Sequence, residues 1–144
     1  MRAPADPEAL ARACADLMWA DDAASAAMGM ALEAVSPGRA RLALTVAPHM
    51  VNGHGLCHGG FIFSLADSAM AFACNSRNER AVAQHCSVTY LRPAKLGMRL
   101  VAEAREQSLG GRTGVYDATV TADGEVIAEF RGISRTLGSK FFEE

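Results

Sequence analysis

The sequence of 144 residues lacks the features that mark several classes of protein. Its 14 Lys and Arg residues face 16 Asp and Glu residues, giving a net charge of −2. Nucleic-acid-binding domains usually carry a basic patch or stripe, so no nucleic-acid partner is expected. No apolar run reaches the roughly 18 residues that a membrane-spanning helix needs. The N-terminal segment contains acidic residues and no continuous apolar core, so we expect no signal peptide, no membrane partner and a cytoplasmic location.

Cysteines are few, and their spacing fits no common motif. None forms a CxxC pair, so neither a zinc ribbon nor a redox motif is indicated. A disulfide framework is also unexpected in a chain of this size without an export signal. His54, Cys57 and His58 lie close together, but no fourth ligand lies nearby, so we predict no metal site. We predict four buried free thiols, at Cys14, Cys57, Cys74 and Cys86.

The most informative stretch is residues 52–76, NGHGLCHGGFIFSLADSAMAFACNS. Its first part is rich in glycine and histidine. The second part, residues 61–74, contains neither Pro nor Gly and is rich in Ala, Leu and Met, which predicts a helix. Hydrophobic residues cover this segment nearly all round, so the helix is expected to be central and buried.

Asp67 lies about two turns into this predicted helix. Burial of a carboxylate without partners is costly, so an isolated Asp there would by itself indicate a solvent edge. The glycine-rich entry changes that interpretation, because a helix N-terminus presents unpaired N–H groups and the positive end of the helix dipole. Such donors can polarise a carbonyl oxygen. A polarised carbonyl and a carboxylate two turns away are typical of an acyl-transfer site.

The remaining chain predicts an α+β fold. Residues 7–21 have helical spacing with Pro7 in the first turn. Strands are predicted at 28–35 and 39–47, joined by a turn at residues 36–38. Four further strands, expected to form an antiparallel meander, are predicted at 81–91, 98–107, 113–122 and 126–137. We expect one domain, residues 1–144, in which a long curved sheet wraps the central helix and its edges are covered in a dimer.

The 52–76 stretch closely resembles the signature of the phenylacetate-degradation thioesterases (PaaI type) of the hotdog-fold superfamily. The resemblance continues in YLRPAKLG at 90–97, GRTGVYDATV at 111–120 and AEFRGISRTL at 128–137. It implies the hotdog fold, in which a curved antiparallel sheet wraps a long helix. It also implies homodimers and homotetramers built of two dimers, with active sites between subunits. The implied activity is hydrolysis of acyl-CoA thioesters that carry an aromatic acyl group such as phenylacetyl. CoA is then part of the substrate, and no cofactor is expected.

The resemblance also implies roles for individual residues. Asp67 matches the catalytic carboxylate, and an Asp there favours the PaaI-type branch over a related group with Glu. His58 and Gly59 match the pair at the helix mouth, and Asn52 matches the asparagine that opens the motif. The residues implied to bind CoA are Tyr90, Arg92, Pro93, Lys95, Gly111, Arg112 and Thr113.

Several alternatives stay open at this stage. Asp67 can act as a nucleophile or as a general base on water. Asn52 can equally be a turn residue, and His58 can be structural. Some relatives carry a serine where this chain has Ala83, and Ser87 is a loose substitute. A hotdog hydratase or dehydratase, a non-catalytic acyl-CoA-binding module and an acyl-carrier-protein substrate are the competing functions.

Overall fold

The structure is a computed structural model that describes all residues 1–144. Three α-helices are present: α1 (Pro7–Asp21), α2 (Ala23–Ala27) and α3 (Gly59–Cys74). A single 3-10 turn covers Pro48–Met50. The six strands are β1 (Ala31–Ser36), β2 (Arg39–Thr45), β3 (Ala81–Tyr90), β4 (Arg99–Gly110), β5 (Thr113–Ala122) and β6 (Glu125–Thr136). No helix is both long enough and apolar enough to span a membrane.

All six strands form one antiparallel sheet in the order β1-β2-β4-β5-β6-β3. The predicted meander of four consecutive strands is therefore wrong, because β3 pairs with β6 at the edge and only β4 to β6 form a meander. The segment from 91 to 98 contains Pro93 and no tight hairpin turn, and it crosses the sheet instead. Its backbone bonds to Ile127 of β6 at one end and to Val46, just after β2, at the other.

The central helix α3 lies against the concave face of the sheet and contacts five of the six strands extensively. One continuous core joins α3 to the inward residues of β2, β4, β5 and β6. Gly132 of β6 lies very close to α3, since a Cβ there would overlap the Met70 sulfur of α3. The predicted helix is thus confirmed, and it starts two residues earlier than expected, at Gly59.

Helix α1 confirms the prediction for residues 7–21. Asp6 caps it by accepting a hydrogen bond from the Ala9 N–H at 2.9 Å, and Pro7 occupies the first turn. Near its end, Trp19 packs on Phe72 of α3 with ring centroids 5.9 Å apart. The short helix α2 was not predicted from the sequence, because five residues are too few to show helical periodicity.

The hairpin between β5 and β6 turns at Asp123 and Gly124, as predicted. Both residues have positive φ, 50° and 80°, which is the geometry of a two-residue type I′ turn. The C-terminal tail, for which no structure was predicted, is fixed by the buried Asn78. Its side chain accepts from the N–H groups of Phe141 and Phe142 and donates to the Phe142 carbonyl.

Candidate active site

The N-terminus of α3 presents an unpaired hydrogen-bond donor. His58 is the N-cap residue, and its Nδ1 accepts from the Gly60 N–H at 2.9 Å. A neutral imidazole that accepts at Nδ1 carries its proton on Nε2. The Gly59 N–H donates to no group of the chain. Because this N–H lies at the positive end of the helix dipole, it can bind a carbonyl oxygen that gains negative charge.

A groove of about 430 Å³ opens at this helix mouth. Its lining includes Asn52, Gly59, Tyr90, Arg92 and Pro93, five of the residues singled out from the sequence. The Tyr90 hydroxyl donates to the Gly59 carbonyl at 2.8 Å. Burial raises the pKa of the Tyr90 phenol, so the hydroxyl stays protonated and keeps donating at neutral pH.

Asn52 has a structural task in the same loop. Its Oδ1 accepts from the N–H groups of His54 and Leu56, at 2.9 and 3.1 Å. This is the turn function that the residues alone allowed. The side-chain Nδ2 has no partner in the chain and remains as a donor on the groove wall.

Asp67 lies apart from this groove. It is eight residues beyond Gly59, which is about 12 Å along a helix axis. Its carboxylate is half-buried between α3 and β3, and its only polar side-chain contact is the Cys86 thiol, with Sγ 3.9 Å from Oδ1. Burial raises the pKa of Asp67, and the Cys86 thiol partly opposes this by lowering that pKa. Asp67 lines a different cavity, of about 200 Å³.

Sequence reasoning missed Cys86 as the neighbour of Asp67. Alternation along β3 turns Cys86 and Val88 inward, where both are half-buried, and leaves Ser87 exposed on the opposite face. Ser87, named as a loose substitute for the serine of some relatives, therefore lies away from Asp67. The available signal was the two-residue alternation that turns every second side chain of β3 inward. It was hard to recognise because β3 lies at the exposed edge of the sheet.

The other residues predicted to bind CoA fall into separate places. Gly111, Arg112 and Thr113 line a cavity of about 330 Å³ near the C-terminal end of α3, together with Cys74 and Arg77. A single chain therefore does not bring them to the groove at the helix mouth.

The three candidate cations for CoA phosphates are all exposed. Arg92 donates to the Val126 carbonyl at 2.6 Å and lies 3.9 Å from Glu125. Arg112 donates to the Thr136 carbonyl at 2.9 Å. Lys95 follows the groove residues but does not line the groove.

The cysteines and the other side chains that are able to bind metal form no second candidate site. All four cysteines are free thiols. Cys14, Cys57 and Cys74 are buried as predicted, whereas Cys86 is only half-buried because it lies on the edge strand β3. No three His, Cys, Asp or Glu side chains come together in a way that could hold a metal ion.

Comparisons with known proteins agree with this architecture. The model of the thioesterase superfamily matches residues 54–129. The acyl-coenzyme A thioesterase PaaI of Escherichia coli is 42% identical over 125 residues, which cover 86% of this chain and 89% of that protein. The structure of the E. coli PaaI protein from the phenylacetic acid degradation operon superposes with a TM-score of 0.92 at 39% identity, covering 94% of this chain and 99% of its own. A Streptococcus mutans protein bound to acetyl CoA superposes with a TM-score of 0.74 at 28% identity, covering 77% of this chain and 90% of its own.

A long helix wrapped by a six-stranded antiparallel sheet defines the hotdog fold, and the matches place that fold among enzymes that cleave thioesters. The chain belongs to the thioesterase superfamily, in its PaaI-type branch. The fold and family predicted from the sequence are thereby confirmed.

Proposed function

We propose that this thioesterase hydrolyses acyl-CoA with a small aromatic acyl group, such as phenylacetyl-CoA, to the free acid and CoA. Asp67 is the group that acts on the thioester. The observation that carries this proposal is a half-buried carboxylate with no cationic partner, placed beside an apolar cavity. The identity to E. coli PaaI supports both the reaction and the aromatic substrate.

The surroundings of Asp67 argue for a chemical use. None of the ion pairs in the structure includes it. Partial burial of a carboxylate without a cationic partner costs stability, and the one polar side-chain contact of Asp67 is the weak thiol donor of Cys86. A carboxylate whose pKa is raised by burial is a stronger base than one in water. This environment therefore suits proton abstraction or attack on a carbonyl carbon.

Two routes are open to Asp67. As a base it takes a proton from water, whose oxygen attacks the thioester carbon, and the C–S bond then breaks to release CoA thiolate. As a nucleophile it forms an anhydride with loss of the thiolate, and water then hydrolyses the anhydride. Hydrolysis in oxygen-labelled water distinguishes the routes, because attack at the Asp67 carbonyl of the anhydride leaves label in its carboxylate. In both routes the carbonyl oxygen gains charge, and one backbone donor there is worth about 2.7–4 kcal/mol.

The active site we propose is formed by two chains. A donor and an attacking group on the same carbonyl lie within about 8 Å of each other. Gly59 and Asp67 of one chain line different cavities and are about 12 Å apart along α3. A second copy of the chain can supply the Gly59 N–H to Asp67. The β3 edge has no strand partner on its outer side, and an unpaired edge is a natural place for a second copy to join. We propose a homodimer on this basis, and by resemblance a homotetramer of two dimers.

CoA would lie along the groove at the helix mouth. Tyr90 and Pro93 line that groove and offer apolar surface, and the Asn52 Nδ2 offers a donor. The exposed cations Arg92, Lys95 and Arg112 are the candidates for the CoA phosphates, since charged donors pair well with phosphate oxygens. Gly111 and Thr113, beside Arg112, would contact the same ligand from another chain. His58 holds the mouth by capping α3.

The test begins with a panel of acyl-CoA substrates and the release of free thiol. Phenylacetyl-CoA should be among the best substrates, and Asp67→Asn should lower kcat by at least about a hundredfold. Turnover of aliphatic thioesters alone would refute the aromatic preference. Absence of turnover with every thioester would refute the hydrolase and leave the binding module and the hydratase as alternatives. Binding of CoA without turnover would then favour the binding module, and hydration of enoyl-CoA would favour the hydratase.

Gly59 offers a matched pair of variants. Gly59→Ala and Gly59→Pro both place a Cβ about 2.8 Å from Tyr90 Cζ, and only proline removes the N–H. Proline is well tolerated at the first helical position. We expect Gly59→Pro to lose a further 10²–10³-fold in kcat relative to Gly59→Ala, roughly the effect of one oxyanion donor. Equal rates for the two variants would show that the Gly59 N–H takes no part.

A further inference from the structure

We propose that the cavity beside Asp67 is the acyl-group pocket, and that Met18 of α1 limits the size of the acyl group. This inference rests on the proposed function, because it takes Asp67 as the group that meets the thioester. Its ligand is a single ring on a short linker, attached to the thioester carbonyl.

Three elements form the walls of the cavity. Met18 comes from α1, Met70 and Ala71 come from α3, and Ala81 and Ala83 come from the start of β3. Alanines on two of the walls leave flat surfaces. The ligand would thus enter between the central helix and the edge strand, with α1 closing one side.

Among the polar side chains of the cavity, only Asp67 has no hydrogen bond to the backbone. Its lining contains two polar side chains besides the thiol of Cys74, and these are Asp67 and Asn75. The Asn75 amide is already satisfied, since Nδ2 donates to the carbonyls of Ala71 and Ala81 and Oδ1 accepts from the Ala81 N–H, at 2.8 to 3.0 Å. Asp67 therefore stands alone at an apolar pocket, which is the arrangement that an apolar acyl group with a reactive carbonyl requires.

The volume selects the class of acyl group. The cavity measures about 200 Å³. An apolar protein cavity of about 150 Å³ is known to bind benzene. A phenyl ring with one methylene fits this volume, whereas part of a long alkyl chain or of a fused ring system would project out of the cavity.

Met18 is the wall that can be changed without rebuilding the fold. It is half-buried and lies outside residues 54–129, which the superfamily model matches. Its neighbour Trp19 holds α1 in place on Phe72, so a substitution at Met18 leaves the anchoring contact intact. Methionine is unbranched and flexible and fits irregular spaces, which suits a side chain that closes over a ring.

The experiment compares Met18→Ala, Met18→Trp and the wild type on acetyl-CoA, phenylacetyl-CoA and 4-phenylbutanoyl-CoA. Met18→Ala should raise kcat/KM for 4-phenylbutanoyl-CoA relative to phenylacetyl-CoA by about tenfold, because it adds space to an apolar pocket. Met18→Trp should raise kcat/KM for acetyl-CoA relative to phenylacetyl-CoA by a similar factor, because it removes space. Leu17→Ala is the control, because Leu17 is next in the same helix and 37% exposed. Its ratios should equal those of the wild type.

The outcomes separate the two proposals. A wild type that hydrolyses acyl-CoA, with Met18 variants that keep its substrate ratios, would overturn the pocket and leave the thioesterase intact. A wild type that hydrolyses nothing would overturn the proposed function. In that case the binding of phenylacetyl-CoA is measured by calorimetry. Binding that is weakened in Met18→Trp and unchanged in Leu17→Ala would still support the pocket. Equal binding by the wild type and both variants would overturn it.

Discussion

The contact between Gly132 and Met70 allows a quantitative test of how α3 is seated in the sheet. An ideal Cβ at Gly132 would overlap the Met70 sulfur and would lie 2.8 Å from Met70 Cε and 3.1 Å from a ring carbon of Phe130. Optimal carbon contacts are about 3.5–4.0 Å. Met70 is 1% exposed, and its sulfur would have to move before the new methyl group could fit. Gly132→Ala should therefore lower the free energy of unfolding by about 1–3 kcal/mol, the usual cost of overpacking.

A double-mutant cycle makes this prediction specific to the one contact. Met70→Ala alone should cost about 2–5 kcal/mol because it opens a cavity. That cavity receives the new methyl group of Gly132→Ala, so the double variant should be more stable than the sum of the single effects predicts, by about 0.5–3 kcal/mol. Urea unfolding followed by circular dichroism measures all four proteins.

Gly110→Ala is the control for the glycine itself. Gly110 also lies in a strand, at the end of β4, and a Cβ there meets nothing within 4 Å. Its free energy of unfolding should change by no more than about 0.5 kcal/mol. Strict additivity of Gly132→Ala and Met70→Ala would refute the reasoning, because it would mean that Gly132 is required for a reason other than room for Met70.

Three further predictions concern Asp67, its neighbour and the chain tail. The pKa of Asp67 is raised in the folded state, so this carboxyl group contributes to stability at low pH, and the contribution is lost as the pH rises through that pKa. Asp67→Asn should therefore raise Tm at pH 7 and leave Tm nearly unchanged near pH 3, as differential scanning calorimetry can check. Cys86→Ala removes the donor that lowers this pKa and should move the acid limb of kcat/KM to higher pH, whereas Cys86→Ser should keep it near the wild-type position; identical limbs would disprove the coupling. Asn78→Ala should cost about 1–3 kcal/mol and speed amide hydrogen exchange at Phe142, because the side chain holds both N–H groups and one carbonyl of the tail.

The long elements could be predicted from the sequence because each carried a strong local signal. The run 61–74 had the composition of a helix, and the Asp123-Gly124 turn marked its hairpin directly. The order of strands was harder, because β3 and β4 follow each other in the chain without being neighbours in the sheet. Only the long-range contacts of the 91–98 segment decide where β3 goes, and no local pattern encodes them.

The location of the candidate residues was predictable where one continuous segment carries them, and it was unpredictable where side chains from different elements meet. Tyr90 and Pro93 do lie at the helix mouth, because the chain returns there after β3. The approach of Cys86 to Asp67 depends on the register of β3 against α3, which alternation alone does not fix. The position of Gly111–Thr113 at the opposite end of α3 also depends on the folded sheet.

In the proposed homodimer, the separation of Gly59 from Asp67 along α3 has a genetic consequence. A chain with Asp67→Asn keeps the donor, and a chain with Gly59→Pro keeps the carboxylate, so each would be inactive when it pairs with itself. A mixed pair would join the intact donor of one chain to the intact carboxylate of the other and would have one working site. Random mixing of the two inactive proteins should then restore about a quarter of the wild-type activity, and two defective alleles would complement each other in one cell.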